Sequence, residues 1–264
     1  SAGSSRAAIC SAFVKEINTS CVFLLNEYED AAYFASDLLN YFEEDSIVFF
    51  PSSYRRPGHS IQEDASHIIR RTEALKRLTL SADKPLLVVT YPEALAERVG
   101  EAGQLKKSMI TLHSNEKVDL AFLKETLKEL GFERSDFVIS PGQYSVRGSI
   151  VDVYSFSAKF PYRIDFFGNE VDSIRSFDLE TQLSVDKLDK IDILPDLKKN
   201  SGKGNMVSFF SLLPPDSVVW AESLTDTFRQ VNELHKGHWI GLKPEEDGRL
   251  PIVDYLVDEE SLIR

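Results

Sequence analysis

Three apolar runs, at residues 22–25 (VFLL), 47–50 (IVFF) and 86–89 (LLVV), most limit what this chain can fold into. Each is far shorter than the roughly 18 residues that a membrane helix needs. Each is uniformly apolar, as in a strand covered on both faces. Between the first two, Ala31, Phe34, Ala35, Leu38, Leu39 and Phe42 recur at helical spacing and form one stripe. Residues 61–80 read mostly as helix, and Pro92 suits the first turn of another after the third run. Strand, helix, strand, helix, strand predicts a parallel sheet with helices on both faces.

The pattern changes in the middle of the chain. Leu120, Leu123, Leu127 and Leu130 stripe one helix, and Gly131 stands where a C-terminal cap belongs. Strand-like segments follow at 136–140, 144–156, 162–168 and 173–178, with little helix between them. One helix followed by hairpins predicts a small α+β domain. Residues 195–205 (PDLKKNSGKGN) read as a linker. Beyond them the αβ pattern resumes, with a helix near 207–213, a strand at 217–220 and a helix at 224–234. The acid-rich tail from Lys243 reads as a solvated face or loop.

Acidic residues outnumber basic ones 42 to 30, a formal charge of −12, which disfavours binding nucleic acid by bulk charge. Two cysteines cannot build a secreted disulfide framework. With no signal peptide or membrane run, the expectation is a cytoplasmic protein. A start without Met suggests a processed chain or an excised fragment.

Catalytic and metal constellations are sparse. His235 and His238 are the one tight pair, and Gly237 between them argues against a shared helix face, so they read as polar residues at a helix end. There is no G-x-S-x-G elbow, and Cys10 and Cys21 read as core filler. The acidic clusters at 43–45, 245–247 and 258–260 read as solvated faces. A phosphate-binding loop needs G-x-x-x-x-G-K-[ST] before a helix. Here Gly3, Ser4, Ser5, Arg6 and Ala7 precede one, with Arg6 for the Lys and Ala7 for the hydroxyl that holds magnesium. Val218, Val219 and Trp220 lead into Ala221 and Glu222, so Ala221 stands where a metal-holding Asp would be. Read as a phosphate loop this is a degenerate nucleotide site, and a domain descended from an ATPase should with these residues no longer hydrolyse ATP.

Residues 161–178 (PYRIDFFGNEVDSIRSFD) are the most informative stretch. On a strand, Arg163, Asp165 and Phe167 face one way, while Ile164 and Phe166 face the core. Arg147, before Gly148, can turn back beside the same face. An exposed aromatic among arginines is the composition of a protein-binding hot spot. The same residues also suit an ordinary surface Arg–Asp pair across strands.

Residues 141–184, with R-G-x-x-x-D, Y-R-x-D-F-F and D-S-I-R-x-F-D in order, closely resemble a block shared by two bacterial DNA-repair families. These are the excinuclease B subunits (UvrB) and the N-terminal modules of the transcription-repair coupling factors (Mfd). An excinuclease B subunit would keep an intact phosphate loop and a long aromatic hairpin. Arg6 and Ala7 break the first, and residues 51–60, despite Tyr54, are too few for the second. The coupling-factor resemblance implies a helicase-like α/β domain with a degenerate P-loop, split into residues 1–106 and 195–264. An α+β domain at 107–194 would be inserted between them.

It further implies a non-catalytic recruitment module whose inserted domain binds the excinuclease A subunit (UvrA). The binding face would comprise Arg147, Arg163, Asp165 and Phe167, with Asp165 orienting Arg163. No cofactor is implied for these residues. ATP and magnesium, RNA polymerase and DNA would engage other domains of a full-length translocase, and a C-terminal domain could mask the UvrA-binding face. The alternative is an excinuclease B-like, ATP-dependent damage-binding subunit.

Overall fold

The computed structural model describes residues 5–55, 62–80, 84–197 and 206–235. Gly3, Ser4, His238, most of the expected linker and the acid-rich tail lie outside them. The chain divides into two compact units, residues 103–204 and the flanking 1–102 with 205–264.

The discontinuous unit is mixed α/β. In chain order it holds α1 (Ser5–Ile17), β1 (Cys21–Leu24), α2 (Tyr28–Leu38), β2 (Ile47–Phe49), β3 (Tyr54–Arg55), β4 (Gln62–Glu63), α3 (Ala65–Leu80), β5 (Leu87–Thr90), α4 (Pro92–Ala96) and β6 (Val99–Gly100). A short helix, α5 (Ala102–Lys107), crosses the division. The three apolar runs became β1, β2 and β5, and all of β1 and β5 is buried. The main sheet is parallel and runs β16-β1-β5-β2, where β16 (Val218–Ala221) comes from beyond the other unit. Ahead of β16, β15 (Met206–Val207) pairs with β6, and α7 (Leu224–His235) follows it. The helix expected near 207–213 is instead β15 followed by a 3-10 turn, Phe209–Leu212. Pro214 and Pro215 explain the stop, because a proline disfavours helical backbone before it and removes a helix donor.

A buried polar network fixes the chain beyond β2. Arg71 donates to the carbonyls of Pro51, Ala94 and Glu97 and lies 4.1 Å over the Phe50 ring. Glu97 Oε1 accepts from Ser52 Oγ at 2.6 Å and from the Ser53 amide at 2.8 Å. Polar groups this deep are tolerated because they are partnered.

The second unit begins with β7 (Ile110–His113) and α6 (Leu120–Glu129). Six strands follow in chain order: β8 (Glu133–Arg134), β9 (Gln143–Arg147), β10 (Ile150–Val153), β11 (Tyr162–Phe167), β12 (Glu170–Phe177) and β13 (Ser184–Leu188). They form one sheet in the order β13-β12-β11-β10-β9-β8, antiparallel except between β8 and β9. β14 (Lys190–Ile193) pairs with β7. Helix α6 opens with Asp119, whose carboxylate accepts from the Ala121 and Phe122 amides. It closes in a Schellman motif: Phe132 N–H donates to Leu127 O, Gly131 N–H donates to Lys128 O, and Gly131 has φ +81°. Leu123, Leu127 and Phe132 join Val151, Val153, Ile164, Phe166 and Ile174 in one core.

The strand expected at 136–140 does not form. Ser135 Oγ bonds Phe137 O, and the Gln143 side chain takes the amides of Ile139 and Ser140. The apolar run at 137–139 is real, but Phe137 and Ile139 point to solvent and only Val138 is buried.

Candidate functional site

The face of the six-stranded sheet away from the core is built by period-two alternation. Along β11, Ile164 and Phe166 are buried, Arg163 and Asp165 are half-buried, and Phe167 is 82% exposed. Two tight turns lie at one end of this sheet. Arg147 pairs with Ile150 across Gly148, and Phe167 pairs with Glu170 across Gly168. Both glycines have φ +63°, as the first central residue of a type II′ hairpin turn requires. Arg147, Ile150, Asp165 and Ser173 therefore sit in one row across four strands, with Phe167 just beyond.

The adjacent row runs Ser145, Asp152, Arg163, Arg175 and Lys187 across β9 to β13. Like-charged residues directly opposite each other repel, and here each arginine turns to a different carboxylate. Arg163 closes a fork on Asp152, with Nε to Oδ1 at 2.7 Å and Nη2 to Oδ2 at 2.9 Å. Arg147 reaches diagonally to the same Asp152 Oδ2 at 2.5 Å. Arg175 turns to Asp165 at 3.1 Å, where Ser173 Oγ also donates.

The expectation that Asp165 orients Arg163 is thus corrected: Asp152 holds it. The register places Asp152 directly opposite Arg163. Asp165 lies two residues along the same strand, about 6.6 Å away in rise, with Arg175 as its own partner.

Asp152 was not singled out by its sequence, since V-D-V reads as an ordinary alternating strand. The R-G-x-x-x-D spacing was the available signal, because a two-residue turn brings its first and last residues onto neighbouring strands. The Asp152 side chain is only 3% exposed, against 15% for Arg163 and 38% for Arg147. A buried carboxylate thus anchors two guanidinium groups at graded depth. Hydrogen bonding to Asp152 raises the affinity of Arg163 for its proton, and burial opposes this. Beneath it, the Arg163 guanidinium lies 4.2 Å from the Phe177 ring centroid, and Nη2 also donates to Gln182. Arg147 is 5.2 Å from the exposed Phe137 ring. Four cations, Arg147, Arg163, Arg175 and Lys187, stand against two carboxylates, Asp152 and Asp165. Within these two rows cations outnumber carboxylates, with Glu170 opposite Phe167 beyond them, and the pattern suits an acidic, partly apolar protein surface.

The residues expected of a degenerate nucleotide site lie in the other unit. Arg6 and Ala7 lie in the first turn of α1, Ala221 ends β16 and Glu222 follows it. Arg6 Nη1 pairs with Glu222 Oε1 at 2.5 Å, and Asn26 Nδ2 donates to Glu222 Oε2. Ala7 and Ala221 bring no side-chain oxygen. The Glu222 carboxylate is engaged on both oxygens, an arrangement that fits an ion pair rather than a metal-bound triphosphate. Among the described residues no His, Cys, Asp and Glu group has the geometry of a metal site, and no helix is long and apolar enough to cross a membrane.

Comparison with known proteins places this face within residues 110–198, which match the UvrB interaction domain family. Over 194 residues, 73% of this chain, it is 30% identical to the transcription-repair-coupling factor of Bacillus subtilis. It is 25% identical to that of Escherichia coli over 191 residues (71% of the chain). It is also 25% identical to that of Haemophilus influenzae over 182 residues (69% of the chain). In each case the matched region is 16% of the relative's length, so the chain spans only a small part of these curated relatives.

Proposed function

From the premise that this chain has a UvrB interaction domain and is similar to the N-terminal module of the transcription-repair coupling factors, we propose that it is a recruitment module. Its charged sheet face docks the excinuclease A subunit (UvrA), and so brings nucleotide excision repair to RNA polymerase stalled at damage. The observation that carries this reading is Phe167, 82% exposed beside arginines that a buried carboxylate holds in place. Leaving a phenylalanine in water has no folding benefit, and hot spots pair such rings with arginine. The module is non-catalytic, and it belongs to a split, helicase-like domain with a degenerate nucleotide site. ATP use, DNA translocation and contact with RNA polymerase belong on this reading to other domains of a cytoplasmic protein. A C-terminal domain covering the same face would hold it inactive.

The test is calorimetric binding of the chain to purified UvrA, for wild type, Phe167→Ala and Arg163→Ala. Phe167→Ala is the cleaner variant, because that side chain does not support the core. A loss of about 2 kcal/mol or more in binding, with an unchanged circular dichroism spectrum, is expected. Equal binding by wild type and Phe167→Ala would move the interface off this face.

A further inference from the structure

At the carboxyl ends of β1 and β16 lies a cavity of about 230 Å³. Its walls are largely apolar, including Ile9, Phe23, Phe34 and Trp220, and Arg6 and Glu222 stand among its lining. The sheet order makes this a distinctive place. From β1 the chain crosses through α2 to β2 on one side, whereas the last strand, β16, joins on the other. In open parallel sheets, ligands bind outside the carboxyl ends of strands where the winding direction changes. The gap between β1 and β16 is that point.

We propose that this cavity binds a small apolar anion, a flat hydrocarbon body carrying one carboxylate, with Arg6 as the anion's partner. The volume is below the range of drug-sized sites and suits a fragment-sized molecule. The sign of the ligand follows from the ion pair. Glu222 holds two donors, Arg6 and Asn26. If Arg6 turns to a ligand carboxylate, Glu222 keeps Asn26. If Glu222 turned to a ligand cation, Arg6 would lose its one ion-pair partner among the described residues. The Arg6 and Glu222 side chains are 37% and 31% exposed, so their exchange with a ligand needs no opening of the core. The charge of Arg6 reaches the cavity wall, since it lowers the pKa of the Cys10 thiol against the larger upward effect of burial. The Trp220 indole Nε1 is buried and has no hydrogen-bond partner among the described residues. The Trp220 ring lines the cavity, and its indole N–H gives a nuclear resonance to follow.

The experiment titrates the full 264-residue chain with 2-naphthoate and with the neutral 2-naphthamide, following heat and the indole N–H resonance of Trp220. Naphthoate should bind with a dissociation constant near or below about 1 mM, shift the Trp220 resonance and bind at least tenfold more tightly than the amide. Arg6→Gln should remove that preference. Glu222→Gln should strengthen naphthoate binding several-fold, because it releases Arg6, whereas a damaged fold would weaken it. Equal affinity for acid and amide, or weaker binding in Glu222→Gln, would overturn the assignment of Arg6. No binding, or binding that leaves Trp220 unshifted, would overturn the site.

Discussion

Arg163 and Asp152 sit directly opposite each other on neighbouring strands, and both oxygens of the Asp152 carboxylate are taken up by the Arg163 guanidinium. The same carboxylate also receives Arg147. One nearly buried aspartate therefore sets the position of the two arginines on the proposed docking face, and its loss would be felt twice.

Asp152→Ala should lower unfolding stability by about 2–3 kcal/mol. Breaking a buried pair costs more than an exposed one, and the partial exposure of Arg147 reduces the figure. Urea unfolding measures it. UvrA binding should fall by more than for Arg147→Ala, because both arginines lose their common anchor.

Arg71→Met should destabilise the discontinuous unit by about 3 kcal/mol or more. The change strips a shared donor from the carbonyls of Pro51, Ala94 and Glu97 and removes the buried Arg71–Glu97 ion pair. Thermal unfolding followed by circular dichroism would show this as a large drop in Tm. A shift no greater than that of an ordinary surface substitution would contradict the network's role.

Gly131→Ala should cost about 1 kcal/mol, since the Schellman cap of α6 requires a left-handed backbone there. Native-state hydrogen exchange should find faster exchange at the Phe132 amide, with the sheet's own protection preserved.

Asp64 caps α3, accepting from Ser66 Oγ and from the amides of Ser66 and His67. The Ser66 hydroxyl bond contributes most to holding its carboxyl below the ordinary value of 3.8, with the two amides adding to it and burial opposing. A depressed folded pKa means the cap stabilises fully above the unfolded value and is lost as pH falls through the folded one. Asp64→Ala should therefore differ from wild type by about 1 kcal/mol at neutral pH. The gap should close as the pH drops below that range, and urea midpoints from pH 7 down to 2 would trace it.

Much of the fold could be read locally. The runs at 22–25, 47–50 and 86–89 could only be buried strands. The alternation through 162–167 by itself separates Ile164 and Phe166 from Arg163, Asp165 and Phe167. Local pattern failed at the apolar run 137–139, where Ser135 Oγ donates to the Phe137 carbonyl and the Ile139 amide donates to the Gln143 side chain instead of entering a ladder. It was silent for β13, where every residue but the last is exposed and no periodicity shows.

By itself the sequence determined which side of each strand a residue occupies, because side-chain direction alternates with a period of two whatever lies nearby. It also determined where the chain turns at Gly131 and Gly148. Only the tertiary structure decided who meets whom. Register, set by turn geometry and by how the core side chains pack, placed Asp152 rather than Asp165 under Arg163. The closing of β16 onto β1 brought Glu222 to Arg6 from the far end of the described chain. Pairing between strands far apart in sequence depends on that packing, whereas a tight turn such as R-G-x-x-x-D encodes locally only the pairing of its own two strands.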